Sequence, residues 1–252
     1  VILPNTEIGT RKRAYLYIFL SAIFLTNAIL AEVIGVKIFS LEETIGVKPA
    51  NIDLLGFKLS FNLTAGVLLW PFVFVTSDVI NEYFGKPGVR RISFLTAGFI
   101  CYVFIAIWGT TGLPPAAFWL DVNKNINGTN NFDINLAFNA LFRQGLGIII
   151  GSITAFLVGQ LLDAYVFHAI KKYTGSSKIW LRATASTLVS QLIDSFVVLV
   201  VAFYIFGNWS FEQVIAVGII NYIYKSAMAL LMIPLLYVAH YFIESYLGKE
   251  AK

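Results

Sequence analysis

Charge is what this sequence has least of. Asp, Glu, Lys and Arg make up only 13% of its 252 residues, against about a quarter in an ordinary soluble domain. Such a chain lacks the polar surface to cover a water-soluble fold of this length. Cysteine is nearly absent too: Cys101 is the single one, which excludes an internal disulfide framework. The two histidines, His168 and His240, have no Cys or acid at ligand spacing, which argues against a metal site. A phosphate-cradling loop followed by Lys-Ser/Thr is missing, since Gly85-Lys86-Pro87-Gly88 reads as a turn. Neither a nucleophile elbow nor a zinc-hydrolase pattern is present. An enzyme is therefore not expected, and no cofactor is.

What is present is apolar length. The chain is 58% hydrophobic, with 22 Phe and 12 Tyr and a mean hydropathy of +0.77. A span consumes about 20 residues. Runs without charge, or broken by a single charge, place spans at 14–34, 63–83, 92–112, 145–168, 183–206 and 213–240. The expectation is an all-α integral membrane protein, a bundle of six transmembrane helices forming one domain over 1–252. The first apolar run has no small-residue cleavage site and is long enough to span, so a cleavable signal peptide is not expected.

Lys and Arg set the orientation. Clusters lie at Arg11-Lys12-Arg13, at Lys86, Arg90 and Arg91, at Lys171, Lys172, Lys178 and Arg182, and at Lys249 and Lys252. An even span count brings all twelve to one side, leaving five on the other: Lys37, Lys48, Lys58, Lys124 and Arg143. Six spans with both termini in the cytoplasm satisfy both readings, in a bacterial or archaeal cytoplasmic membrane. The net charge of +4 is not a nucleic-acid footprint, because the basic residues flank the spans.

On the outer side, the alternating stretches 36–41 and 55–61 suit a short hairpin over the mouth. Residues 113–143 read as an irregular loop with an interfacial helix near 135–142. The triplets Asn62-Leu-Thr64, Asn127-Gly-Thr129 and Asn208-Trp-Ser210 match a glycosylation sequon but are too common by chance to carry weight. Gly147 and Gly151 are spaced to permit close helix approach, either within one protomer or across a homodimer.

Polar groups inside the spans are the functional candidates, since a charge at the bilayer centre costs roughly 2.5–3.5 kcal/mol on insertion scales. In the fifth span Ser186, Ser190 and Asp194 share a face, with Gln191 beside them. The sixth span carries Asn221 and Lys225 four residues apart at the same depth. Asp194 and Lys225 invite pairing, either as a structural bridge or as a substrate-responsive pair lining a cavity. The second span carries Asp78 and, one turn on, Glu82, which reads as an interfacial acid near Arg90 and Arg91. The fourth ends in Gln160 and Asp163. Asn27 in the first span is either a substrate contact or an interhelical bridge, and Glu32 lies near that span's outer end.

Several segments, in order, resemble the vitamin uptake transporter family, the queuosine precursor transporters. They are Trp70-Pro71-Phe72-Val73-Phe74 with Thr76-Ser77-Asp78, Asn81-Glu82 and Gly85; then Gly159-Gln160 and Asp163; then Trp180-Leu181-Arg182 with Ala185-Ser186-Thr187 and Asp194; and last Tyr222, Lys225 and Pro234. The resemblance implies a carrier importing 7-cyano-7-deazaguanine or 7-aminomethyl-7-deazaguanine. A buried carboxylate suits the adjacent N–H donors of a guanine-like edge. Gln, Asn or Lys would meet the ring acceptors, and Phe72, Phe74 and Tyr222 the flat ring. Two other organisations remain open: a substrate-binding subunit docked on a separate ATP-driven module, and an intramembrane enzyme using Asp78 and Asp163 as paired carboxylates.

The topology is testable by cysteine accessibility in a background without Cys101. A cysteine at 125 should react from outside and one at 175 from inside. Reaction of both from the same face would defeat the even-span arrangement.

Overall fold

The computed structural model describes residues 5–125, 131–143, 146–175 and 179–248. The expected start of the fourth span at Gly145, the basic residues Lys178, Lys249 and Lys252, and the 127–129 sequon lie outside the described residues. Long apolar helices dominate. In chain order they are α1 (Asn5–Ile34), α3 (Trp70–Thr111), α6 (Leu146–Thr174), α7 (Ile179–Leu199), α8 (Phe211–Leu231) and α9 (Ile233–Leu247). The short α2 (Leu41–Thr44), α4 (Ala117–Val122) and α5 (Ile134–Phe142) lie between them, with strands β1 (Ile38–Ser40), β2 (Ile52–Leu54), β3 (Phe57–Leu59) and β4 (Asn62–Thr64).

Five helical runs among the described residues have the length and apolarity to cross a membrane. One of them, α3, is 42 residues long, about 63 Å if straight and roughly twice the hydrocarbon thickness. It is not straight. Gly85 sits at φ 68° with non-helical geometry, and Pro87 follows. A Cβ placed on Gly88 would lie 3.4 Å from the Ile80 side chain, whereas eight residues of straight helix separate two positions by about 12 Å. The chain therefore reverses at the Gly-Lys-Pro-Gly turn, and α3 contains both the second and the third expected spans. Tyr17 of α1 donates to the Gly88 carbonyl at 2.9 Å, fastening the reversal.

The sixth expected span, 213–240, requires correction. It is two helices, α8 and α9, meeting at Met232. Pro234 lies in the first turn of α9; it has no N–H for a continuing helix and its ring crowds the preceding turn. The fifth span follows α7 into a π-helical segment, Val200–Ile205.

Packing runs α1 against α3, α3 against α6, α6 against α7 and α7 against α8. The core between these helices is aliphatic and aromatic, with Phe24, Phe167, Ile80 and Val89 fully buried. Gly147 and Gly151 both face the α7–π segment: a Cβ on Gly147 would meet Phe206, and one on Gly151 would lie 3.1 Å from Ala202. The pair serves contact within the protomer.

The expected outer hairpin is replaced by two ribbons. Stretch 36–41 meets 55–61 at its end, where the Leu41 N–H donates to the Phe61 carbonyl at 3.0 Å. Along the strands β1 pairs with β4, Ile38 opposite Thr64, and β2 pairs with β3 across a tight turn. Both turn residues, Leu55 and Gly56, have positive φ (55° and 84°), which two-residue hairpins favour because it matches strand twist. The interfacial helix near 135–142 is present as α5, its N-terminus capped by the Asp133 carboxylate accepting from Leu136 N–H at 2.9 Å.

Glu42 anchors the ribbon loop. Its carboxylate accepts from the Phe61 N–H at 2.8 Å, the Ala50 N–H at 3.3 Å and the Ser40 hydroxyl at 3.3 Å. Burial opposes ionisation, but these donors outweigh it and hold the carboxyl below its usual range. A depressed pKa means that the stabilisation is present above the unfolded value, about 4.3 for Glu, and is lost as pH falls through the folded value. Limited proteolysis between 45 and 60 should accelerate as pH drops below about 4. Glu42→Gln should be cleaved faster at neutral pH and lose that acid dependence.

Candidate functional site

A cavity of about 330 Å³ lies within the bundle, inside the range of small-ligand sites. It begins beneath the β1–β4 ribbon, where Ile38, Asn62 and Thr64 line it, and reaches Asp78, Gln160 and Leu236. Helices α1, α3, α6, α7, α8 and α9 all contribute walls.

Of the residues expected from the sequence, Asp78, Gln160, Gln191, Asp194, Asn221 and Lys225 line this cavity. Helical phase explains the set. Asp78 lies four residues after Phe74 and shares its face; Asn221, Tyr224, Lys225 and Met228 form an i, i+3, i+4, i+7 stripe on α8 that meets the cavity. Gln160 accepts from the Ser77 hydroxyl at 2.8 Å, locking the first arm of α3 to α6. Lys225 donates to Asp194, joining α8 to α7, and the two side chains are only 21% and 19% exposed. Gly159 of α6 lies against Asp194 of α7: a Cβ there would be in ordinary contact with the Asp194 side chain at 3.6 Å.

Asp163 and Ser186 are buried just behind the cavity wall. Asp163 accepts from Thr187 and Ser190, each at 3.4 Å, and lies within electrostatic range of Asp78. The Ser186 hydroxyl donates to the Ala183 carbonyl at 3.0 Å.

Three expected contacts are placed elsewhere. Phe72 is 44% exposed on the outside of the bundle, because two residues of helix turn it nearly opposite Phe74. Tyr222 is off the cavity for the same reason, and Tyr224 lines it instead. Asn27 donates to the Ile23 carbonyl of its own helix at 2.9 Å and is not part of the lining.

The sequence reading also missed contributors. Glu32, which the sequence places near the outer end of the first span, lines the cavity and accepts from Ser152 of α6 at 2.5 Å. Phe203, in the π segment, stacks on Trp209 with centroids 4.5 Å apart, and both line the cavity. Trp70 stacks on Phe74 at 6.0 Å and packs against Phe156 at 5.8 Å, adding a second aromatic wall. The signal available for these was aromatic density, which does not distinguish lipid-facing from cavity-facing rings.

Two cavity-lining acceptors, Asp78 Oδ1 and Gln191 Oε1, are buried without a hydrogen-bond partner among the described residues. Leaving such groups unpaired costs about 1–3 kcal/mol each, which marks the cavity as a place where donors are received.

The end of the bundle that carries Arg182 and Lys171 is closed by a separate network. Arg182 is 1% exposed and pairs with Glu82 at 2.7 Å, while Lys171 reaches the same carboxylate at 3.0 Å. Glu82 thus pairs across to α6 and α7, not with Arg90 and Arg91 as its position in the sequence suggested. Tyr83 is hydrogen-bonded to His240 of α9 at 2.8 Å, and the Lys86 N–H donates to His168 at 2.7 Å.

A family profile described as "Putative vitamin uptake transporter" matches residues 64–239. The chain belongs to this family of transporters. The match runs from β4 into α9 and so covers most of the cavity wall, leaving α1 outside. A Bacillus subtilis (strain 168) protein named "Probable queuosine precursor transporter" is 30% identical over 193 residues, 75% of this chain and 78% of its own length. A protein of the same name from Haemophilus influenzae (strain ATCC 51907 / DSM 11121 / KW20 / Rd) is 26% identical over 177 residues, 69% of this chain and 66% of its own. The Escherichia coli (strain K12) "Queuosine precursor transporter" is 26% identical over 171 residues, 66% of this chain and 67% of its own. No solved structure matches. Family and apolar helices together make this a multi-pass cell membrane transporter, with a small molecule as its cargo.

Breaking the α7–α8 bridge tests the coupling. Asp194→Asn and Lys225→Met should each lower thermal stability by about 3 kcal/mol, because each strands a buried charge, and the double variant should recover most of the loss. Melting curves in detergent measure it. Additive losses would show that the two side chains share no energy.

Proposed function

We propose that this chain imports queuosine precursors, 7-cyano-7-deazaguanine or 7-aminomethyl-7-deazaguanine, through the cavity between its helices. The observation that carries the reading is the pair of buried, unpartnered acceptors, Asp78 Oδ1 and Gln191 Oε1. A deazaguanine presents adjacent ring N–H and amino N–H donors on one edge, which suit two acceptors lining one cavity. Lys225 and Asn221 supply donors for the ring carbonyl and ring nitrogen. Phe74, Trp70 and Tyr224 offer faces for a flat ring. The names of the three relatives support the same substrate class.

The working cycle follows from which end is sealed. The Glu82–Arg182–Lys171 network and the Tyr83–His240 bond close the basic end, which the distribution of Lys and Arg assigns to the cytoplasm together with both termini. The cavity begins under the ribbons at the opposite end. Cargo enters there, and release requires the basic-end network to part. Alternating access of this kind rocks helices about a site near mid-depth.

The test is uptake of labelled 7-deazaguanines by the purified chain in proteoliposomes. Uptake without any ATPase is expected, and Asp78→Asn should reduce it about tenfold or more, the scale of a lost charged hydrogen bond. Binding without uptake by the isolated chain would identify a substrate-binding subunit of an ATP-driven importer. A chemically altered product would point to an enzyme. Neither binding nor uptake would end the deazapurine reading.

A further inference from the structure

A second concavity lies at the basic end of the bundle and shares no lining residue with the cargo cavity. It is an open cleft of about 730 Å³ between the Gly85–Pro87 reversal of α3 and the last turns of α6. His168, Lys171 and Lys172 line it from α6 at i, i+3 and i+4, one face of that helix, with Tyr165 a turn earlier. Lys86 lines it from the reversal. The two walls are fixed against each other. The Lys86 N–H donates to His168 at 2.7 Å, and a Cβ on Gly85 would stand 3.9 Å from the same ring nitrogen.

The charge in this cleft is of one sign. Three lysines line it, and among the described residues no acid does. Lys171 reaches the Glu82 carboxylate at 3.0 Å, but that carboxylate is shared with Arg182. Lys86 and Lys172 form no salt bridge among the described residues; the Lys86 ammonium lies over the Tyr165 ring, 4.9 Å from its centroid. Ammonium groups gathered on one concave wall suit an anion with several oxygens, and phosphate is the common one. The place decides which phosphate. Tyr165 is 60% and Tyr173 92% exposed beside the lysines, at the end of a helix long and apolar enough to span. Exposed Tyr and Lys together at a span's end lie at headgroup level. A headgroup held in the bilayer is presented there at high effective concentration, whereas a free anion must be drawn from solution.

We infer that this cleft is a binding site for the phosphate of an anionic phospholipid headgroup, received by Lys86, Lys171 and Lys172. The site is independent of which molecule the central cavity carries. Tyr165 and Tyr173 offer amphipathic rings beside the headgroup, apolar toward the chains and polar toward water. Lys171 divides its charge between the headgroup and Glu82. Occupancy therefore joins the α3 reversal to the end of α6 along the seam that the Glu82 network closes. A ligand favours the arrangement whose parts it bridges, so a bound headgroup stabilises the closed basic end.

The experiment titrates the purified full chain, in uncharged detergent, with short-chain phosphatidylglycerol, phosphatidylcholine of the same chain length, and inorganic phosphate. Thermal shift and native mass spectrometry read the binding. In the wild type phosphatidylglycerol should raise the melting temperature and bind about fivefold or more tightly than phosphatidylcholine, whose choline cancels the phosphate charge. Lys172→Gln should weaken phosphatidylglycerol about fivefold, the scale of one lysine beside an anionic headgroup, and adding Lys86→Gln should weaken it further. Arg90→Gln removes an exposed charge at the same end but outside the cleft, and should change the affinity by no more than about twofold. Equal binding of the two lipids by the wild type overturns the inference and needs no variant to fold. Inorganic phosphate that stabilises as strongly as phosphatidylglycerol at equal concentration overturns the lipid as the occupant. A loss in Arg90→Gln equal to that in Lys172→Gln also overturns it, because a diffuse basic surface and not a site would then hold the lipid.

Discussion

Hydrocarbon gives a polar side chain nothing to bond to, so each one carried into the bilayer must find its partner inside the protein or border a cavity. The arrangement of the long helices answers that constraint. Lys225 on α8 meets Asp194 on α7, Gln160 on α6 meets Ser77 on α3, and Ser152 on α6 meets Glu32 on α1. Each contact ties a different pair of helices, and all three border the same space. In lipid, apolar contacts between helices gain little from excluding water, which gives these polar contacts a large share in setting which faces turn inward.

The same constraint explains why the two ends differ. At the basic end the charges are consumed: Glu82 is shared by Arg182 and Lys171, and Arg182 is also held by the Gly175 carbonyl at 2.9 Å. In the cavity Lys225 and Asp194 pair with each other, while acceptors on Asp78 and Gln191 have no hydrogen-bond partner among the described residues. A cavity that presents such acceptors is suited to a cargo that supplies donors. The ribbon loop completes the design. Glu42 gathers backbone donors from Phe61 and Ala50, which helps the ribbon strands hold their shape.

Much of the fold was legible because membrane spans announce themselves by length and by lack of charge. What blurred was the ends. The turn at Gly85 and Pro87 was visible as Gly-Lys-Pro-Gly, whereas the break at Met232 required weighing Pro234 as a helix start. The ribbon pairing was only partly legible because three-residue strands carry too little alternation to declare a partner: 38–40 pairs with 62–64 and 57–59 with 52–54, and the two expected stretches meet at Leu41 and Phe61. Within the site, Asp78, Gln160, Gln191, Asp194, Asn221 and Lys225 stood out because polar groups in apolar runs are costly and therefore few.

By itself, then, the sequence determined the class of protein, the rough positions of its spans and a short list of polar residues, since all three follow from composition along one dimension. Only the tertiary structure decided which of those residues face the cavity. Phe72 and Phe74 differ by two positions, as do Tyr222 and Tyr224, yet one of each pair lines the site and the other does not. Rotation of a helix about its axis is set by the neighbours it packs against. The tertiary structure likewise decided that Glu82 belongs to Arg182 across 100 residues of chain, and that Glu32, near the end of α1, belongs to the cavity. Such pairings arise from contacts distant in sequence, about which local pattern carries no information.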